Sequence, residues 1–141
     1  YFDDVGDSEK ALDKYIIARS RVMTNDTLIL ESLNFRINEI ARKWLNSAEL
    51  LLDRGFYKDA LDLVNKVSSF YSVEDKLINK FKSYVILEEG KKLQSILILG
   101  KAMEKYSEAL KLNTDLESNV QALQYQAGIQ LVELANKVDY F

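Results

Sequence analysis

Cysteine, histidine and proline are all missing from the chain of 141 residues, and glycine is scarce at five. Without cysteine there is no disulfide, no thiolate nucleophile and no thiolate metal ligand. Without histidine the commonest general base goes too, so a zinc site of the usual nitrogen and sulfur type is excluded. Any catalysis would have to rest on Asp, Glu, Lys and Tyr. Long apolar runs are also lacking: the strongest, Ile96 to Leu99, falls far short of the roughly 20 residues that span a bilayer. No direct membrane insertion of this stretch is expected. Basic charge is not in excess either. Lys and Arg number 19 against 22 Asp and Glu, a net charge of −3, and the cations are interspersed with acids. That pattern disfavours a phosphate-binding stripe, so nucleic acid is not an expected partner.

What is there is 48% hydrophobic, enough to bury a core in a chain of this length. The first residue is Tyr1 rather than Met, which predicts a piece of a longer or processed protein. A soluble domain of the cytoplasm or periplasm fits, whether free or carried by a membrane-anchored protein. With proline absent, short polar clusters must set the helix boundaries. Thr24-Asn25-Asp26-Thr27 with Glu31 reads as one helix start, Ser72-Val73-Glu74-Asp75 as a second, and Asn113-Thr114-Asp115 with Glu117 as a third.

Between these signals the apolar period is helical. Leu30, Leu33, Ile37, Ile40, Trp44, Ala48 and Leu51 recur in steps of three and four, predicting a helix over 27–54. Phe35, Leu45 and Leu52 lie off that stripe, and a helix apolar on two sides expects neighbours on both. Further helices are predicted over 8–23, 57–71, 74–95, 100–112 and 116–138. The last carries a stripe of Val120, Leu123, Ala127, Leu131, Leu134 and Val138. No alternation of period two persists long enough to predict a strand. The stretch Gly100 to Thr114 keeps Ala102, Tyr106 and Ala109 at i, i+4 and i+7. Small residues on such a stripe admit a close helix, while the Tyr106 ring fills the space beside it with its hydroxyl at a wet edge. The expected partner is the segment Tyr84-Val-Ile-Leu-Glu-Glu-Gly-Lys-Lys-Leu93.

The run from Glu88 to Thr114 resembles the tetratricopeptide repeat, a helix-turn-helix unit that stacks into a solenoid. Gly90 stands at its first small position, Leu93 at the apolar one and Ala102 at the second small one. Tyr106, Ala109 and Leu110 follow in the family's order. A second copy has Trp44, Ala48, Leu51, Gly55, Tyr57 and Ala60 in the matching places, with Val64 and Val67 where an aromatic and a small residue are usual. A partial third copy is Gly6, Ala11, Tyr15 and Ala18. The resemblance implies an all-α fold, an α-α superhelix of about six antiparallel helices without a sheet. It would form a single domain over 1–141, with a partial repeat at 1–26, repeats at 27–72 and 73–114, and a capping helix at 115–141.

There are departures. Ser72 and Thr114 stand where the family ends its unit with proline, and the second full repeat turns on Ser95-Ile-Leu-Ile-Leu99. The copies are also spaced more widely than the family's, which extends the first helix of each pair. A different register aligns Gly90 with Gly55 and makes Gly90 a turn residue.

Trp44 sits within an apolar stripe and reads as core, though a lone tryptophan can also anchor a partner. Glu88-Glu89 is an acid pair, but neighbours on a helix point about 100° apart and do not converge on one atom. Lys91-Lys92 is placed for pairing with Glu88 along the helix. No catalytic residue, cofactor or metal is assigned. In the resembled family, partners lie along a groove lined by first helices. That implies a binding surface of Arg42, Asn46, Glu49 and Asp53 from one helix and Tyr84, Glu88 and Lys91 from the next. The carboxylate clamp of some family members is incomplete, since the matching positions hold Leu45, Glu49, Leu87 and Lys91. The expected function is a non-enzymatic scaffold binding another protein or peptide. The alternative is self-assembly, a helical bundle or coiled-coil homo-oligomer drawing on the long helices and the apolar ends Tyr1-Phe2 and Val138-Asp139-Tyr140-Phe141.

Overall fold

The computed structural model describes residues 2–22 and 26–139, with side chains from 6 to 138 outside that gap. The described residues are all-α. In order they form α1 (Phe2–Arg21), α2 (Thr27–Asp53), α3 (Tyr57–Ser68), α4 (Asp75–Ser95) and α5 (Leu99–Leu112), then a 3-10 turn at Thr114–Leu116 and α6 (Glu117–Asp139), with no strand among them. The chain divides into two compact units, Tyr1–Val73 and Glu74–Phe141. Helix α4 opens at Asp75, within the start signal at 72–75. The apolar ends Tyr1, Tyr140 and Phe141 lie outside the described residues.

In the first unit α2 is the spine, 27 residues and so about 40 Å long. Helices α1 and α3 both pack on it. Its inner face buries Ile37, Ile40, Ala41, Trp44, Ala48 and Leu52, and α3 answers with Ala60, Leu63, Val64 and Val67. Trp44 is fully buried, its indole edge-on to Phe70 at 5.6 Å between centroids. The Lys66 ammonium lies 5.5 Å from the indole centroid and 2.6 Å from the Glu9 carboxylate of α1. Trp44 is thus core, and burying so large a ring contributes about 3 kcal/mol or more.

The second unit pairs α4 with α5 and lays α6 on α5. Its core holds Leu87, Ala102, Tyr106, Ala109, Leu116 and Val120, with Tyr84, Ile86, Leu93, Leu110 and Leu123 packed against them. The expected partner of Ala102, Tyr106 and Ala109 is therefore found in 84–93. Gly90 explains how close the helices come: a Cβ there would stand 2.6 Å from Tyr106 Cε1 and 2.8 Å from Cδ1, distances no side chain tolerates. Gly90 is buried inside α4, which overturns the register that made it a turn residue. The hydroxyl of Tyr106 is not at a wet edge. The ring is fully buried, and the hydroxyl donates to Gln94 Oε1 at 2.5 Å, whose own amide donates to Gln130 Oε1 of α6 at 2.9 Å.

The hairpin turns of the two units share one construction. After α2, the Gly55 amide donates to the Leu52 carbonyl and the Phe56 amide to that of Leu51, with Gly55 at φ +86°. After α4, the Leu97 amide donates to Gln94 and the Ile98 amide to Leu93, with Leu97 at φ 63°. Each is the paired bond that closes a helix on a left-handed residue. Every member of the second turn lies 42 positions after its counterpart in the first, the same offset as between Ala60 and Ala102. Glycine takes the left-handed position freely, whereas leucine takes it at a cost of about 1 kcal/mol or more.

Several boundaries differ from expectation. Helix α1 begins at Phe2, and α3 stops at Ser68 rather than 71. There the hydroxyls of Ser68 and Ser69 turn back onto the carbonyls of Asn65 and Lys66, competing with continuation of the helix. At the start of α2, Asp26 makes no side-chain cap bond, so the capping expected of 24–27 is not made by Asp26. Thr24 and Asn25 lie outside the described residues. Asn113 does cap, accepting from the Asp115 amide at 3.1 Å. From the 3-10 turn into α6 the inward stripe is Leu116, Val120, Leu123, Ala127, Gln130 and Leu134, while Leu131 and Val138 are exposed. Gln130 takes the inward place because Gln94 offers it a hydrogen bond.

Candidate partner-binding surface

Four of the expected binding residues, Arg42, Asn46, Glu49 and Asp53, follow one another on α2 at i, i+4, i+7 and i+11, so they form a single stripe. Arg42, Asn46 and Asp53 are exposed and Glu49 is half-buried. The stripe passes from cationic to acidic toward the C-terminal end of the helix. The other three lie on α4 at i, i+4 and i+7. Lys91 is exposed, Glu88 is half-buried and Tyr84 is half-buried, its ring packed against the core of the second unit. Tyr84 therefore serves the fold as well as any surface. The two stripes belong to separate units, and within each the residues stand together as the sequence periodicity requires.

Around these stripes the electrostatics are local. Glu89 crosses to α5, where Lys105 Nζ lies 3.3 Å from its carboxylate and 3.7 Å from that of Glu108. The hydrogen bond that Lys105 donates to Glu89 and the charge of Glu108 hold its ammonium above its ordinary range. Burial raises the Tyr106 phenol. No cluster of acids able to hold a metal ion occurs among the described residues, and no described helix is long and apolar enough to cross a membrane.

The seven expected residues line none of three described recesses. One, of about 260 Å³ between α1 and α2, is lined by Asp7, Tyr15, Arg36, Glu39 and Lys43 among others. A second, of about 390 Å³ at the start of α4, has Glu74, Lys76, Lys80 and Asp115 on its walls. Both mix charges of either sign, which suits a polar peptide segment more than a single ion or a buried reaction centre. Arg36, Glu39 and Lys43 had a signal in the sequence, since they recur at i, i+3 and i+7 beside the apolar stripe of α2. What the sequence does not give is that α1 leaves a recess over them.

Apolar surface is the other resource. The turn residues Ile96, Leu97 and Ile98 stand exposed in a row, and α6 exposes Tyr125, Ile129 and Val132. Compared with protein-family models, with curated proteins and with solved structures, the chain matches none of them.

Proposed function

We propose that this chain is a non-enzymatic scaffold, a divergent tetratricopeptide-like solenoid that binds a segment of another protein along the outer faces of its longer helices. One observation carries the reading. The hairpins α2–α3 and α4–α5 repeat at a constant offset of 42 residues, from the small residues Ala48 and Gly90 through the turns at Gly55 and Leu97 to Ala60 and Ala102. Repetition of a hairpin is how a solenoid builds an extended binding surface from units too small to stand alone. The outer stripes of α2 and α4 carry charges of both signs, which give register and specificity to a bound polar segment more than raw affinity.

The test uses exposed positions only, so that folding is left intact. Proteins retained by the chain from a lysate are compared with those retained by Arg42→Glu and Lys91→Glu variants, and Tyr84 is left untouched because it packs on the core. A protein held by the parent chain and released by either variant is the expected result. Equal retention by all three chains would sink the assignment of binding to these stripes.

A further inference from the structure

The turn between α4 and α5 is closed like the turn between α2 and α3 but carries different chemistry. Ile96, Leu97 and Ile98 follow one another at its tip and are 64%, 51% and 42% exposed. Their counterparts 42 positions earlier are Arg54, Gly55 and Phe56, so the construction asks neither for three aliphatic side chains nor for a leucine at φ 63°. Backbone strain that burial does not offset points to a role outside the fold. Charge differs as well. From Gly90 to Met103 the sequence holds three lysines and no acid, whereas the matching stretch from Ala48 to Leu61 holds Glu49, Asp53 and Asp59 against Arg54 and Lys58. Lys91 stands in the place of Glu49 and Lys101 in that of Asp59. Lys91, Lys92 and Lys101 are all exposed, and the helical rise sets them within about 6 Å of the turn along the axes of α4 and α5. Glu89 and Glu104 stand farther from it, and Glu89 is engaged by Lys105. Helix α6 continues for about 13 Å beyond Gln130, which meets Gln94 just before α4 ends. That brings exposed Lys137 and Val138 toward the same edge, with Glu133 the acid beside them.

We propose that this turn seats on an anionic lipid surface, with Ile96, Leu97 and Ile98 entering the headgroup layer and Lys91, Lys92 and Lys101 facing the lipid anions. Charge complementarity selects the anionic surface, because the turn presents cations without acids in a chain whose net charge is −3. Shape selects lipid over a peptide. None of the three described recesses is lined by Ile96, Leu97 or Ile98; a projecting aliphatic row enters a soft headgroup layer, whereas a peptide needs a groove or an open strand edge. Lysine stems lie along apolar surface while their ammonium groups stay solvated, and each lysine near an anionic surface raises the affinity about fivefold. A few aliphatic groups and a few cations together give reversible docking rather than permanent anchoring. No spanning helix is needed for it.

Lys91 also belongs to the stripe proposed to bind a protein segment, so the test leaves it unchanged. The chain, a Leu97→Gly variant and a Lys92→Gln, Lys101→Gln variant are sedimented with vesicles of phosphatidylcholine alone and of phosphatidylcholine with an equal part of phosphatidylserine. The chain is expected to bind the anionic vesicles at least about tenfold more tightly than the neutral ones, and less tightly as salt is added. The two-lysine variant should lose about tenfold. Leu97→Gly should lose about threefold or more, although glycine suits the turn better, so weaker binding there does not reflect weaker folding. Binding to neither vesicle, equal binding to both, or variants that bind as well as the parent would each overturn the proposal. It falls likewise if the vesicles are ignored and the two-lysine variant instead releases an acidic protein that the parent chain retains.

Discussion

Leu97 and Gly90 are the two residues whose chemistry is most tightly held by geometry. Leu97 occupies a left-handed position that glycine fills in the matching turn, and its side chain is half exposed, so little packing offsets the strain. Leu97→Gly is expected to stabilise the chain by about 1 kcal/mol, seen as a higher urea midpoint with unchanged slope. The reverse change at the other turn, Gly55→Leu, should lower the midpoint by a similar amount. At Gly90 two effects oppose each other. Alanine gains about 1 kcal/mol of helix propensity, but its Cβ would overlap a ring that is fully buried and tied through its hydroxyl to Gln94. Overpacking of that kind costs about 1–3 kcal/mol, and the ring has nowhere to move, so overlap wins and Gly90→Ala is expected to destabilise. The matching pair in the first unit is Ala48 with Val64. Gly90→Ala combined with Tyr106→Val should therefore lose less than the two single changes added together, a coupling that a double-mutant cycle measures directly.

At the scale of elements, Gln94 joins three helices: it stands on α4, accepts from Tyr106 of α5 and donates to Gln130 of α6. Its counterpart 42 residues earlier is Leu52, an ordinary buried apolar residue. Gln94→Leu would leave the Tyr106 hydroxyl and the Gln130 amide without that partner in a half-buried place. The expected loss is about 1–3 kcal/mol, together with faster hydrogen exchange in the part of α6 around Gln130. If exchange there is unchanged, the hydrogen bonds do not hold α6 in register.

For the whole molecule, the pH response follows from burial. The Tyr106 phenol sits above its ordinary value of 10.0 because it is buried, so the folded state keeps a proton that the unfolded chain gives up. Its contribution to stability is complete below about pH 10 and is lost as pH rises through and beyond that value. The limiting slope is about 1.4 kcal/mol per pH unit. Lys105, held protonated by Glu89 and Glu108, acts in the same direction, but its ion pairs are screened by solvent and add little. Urea midpoints between pH 9 and 11 should fall steeply for the parent chain and more gently for Tyr106→Phe. Equal slopes would mean that another group governs alkaline unfolding.

The all-α class, the order of the helices and the close approach of 84–93 to 100–112 were legible in the sequence, because helical periodicity and small residues are local properties that a single chain displays openly. The core role of Trp44 was legible for the same reason. Other outcomes needed the packed structure. Only the neighbours of α6 decide that Gln130, not Leu131, turns inward, since a glutamine can be half-buried where another glutamine satisfies it. Only the bonds closing α4 put Leu97 in a left-handed conformation that its own chemistry disfavours. The position of α1 over Arg36, Glu39 and Lys43, and the exposure of Tyr125, Ile129 and Val132 on α6, likewise depend on which surfaces other helices cover. Periodicity shows that a face is apolar, and long-range packing decides whether it is buried.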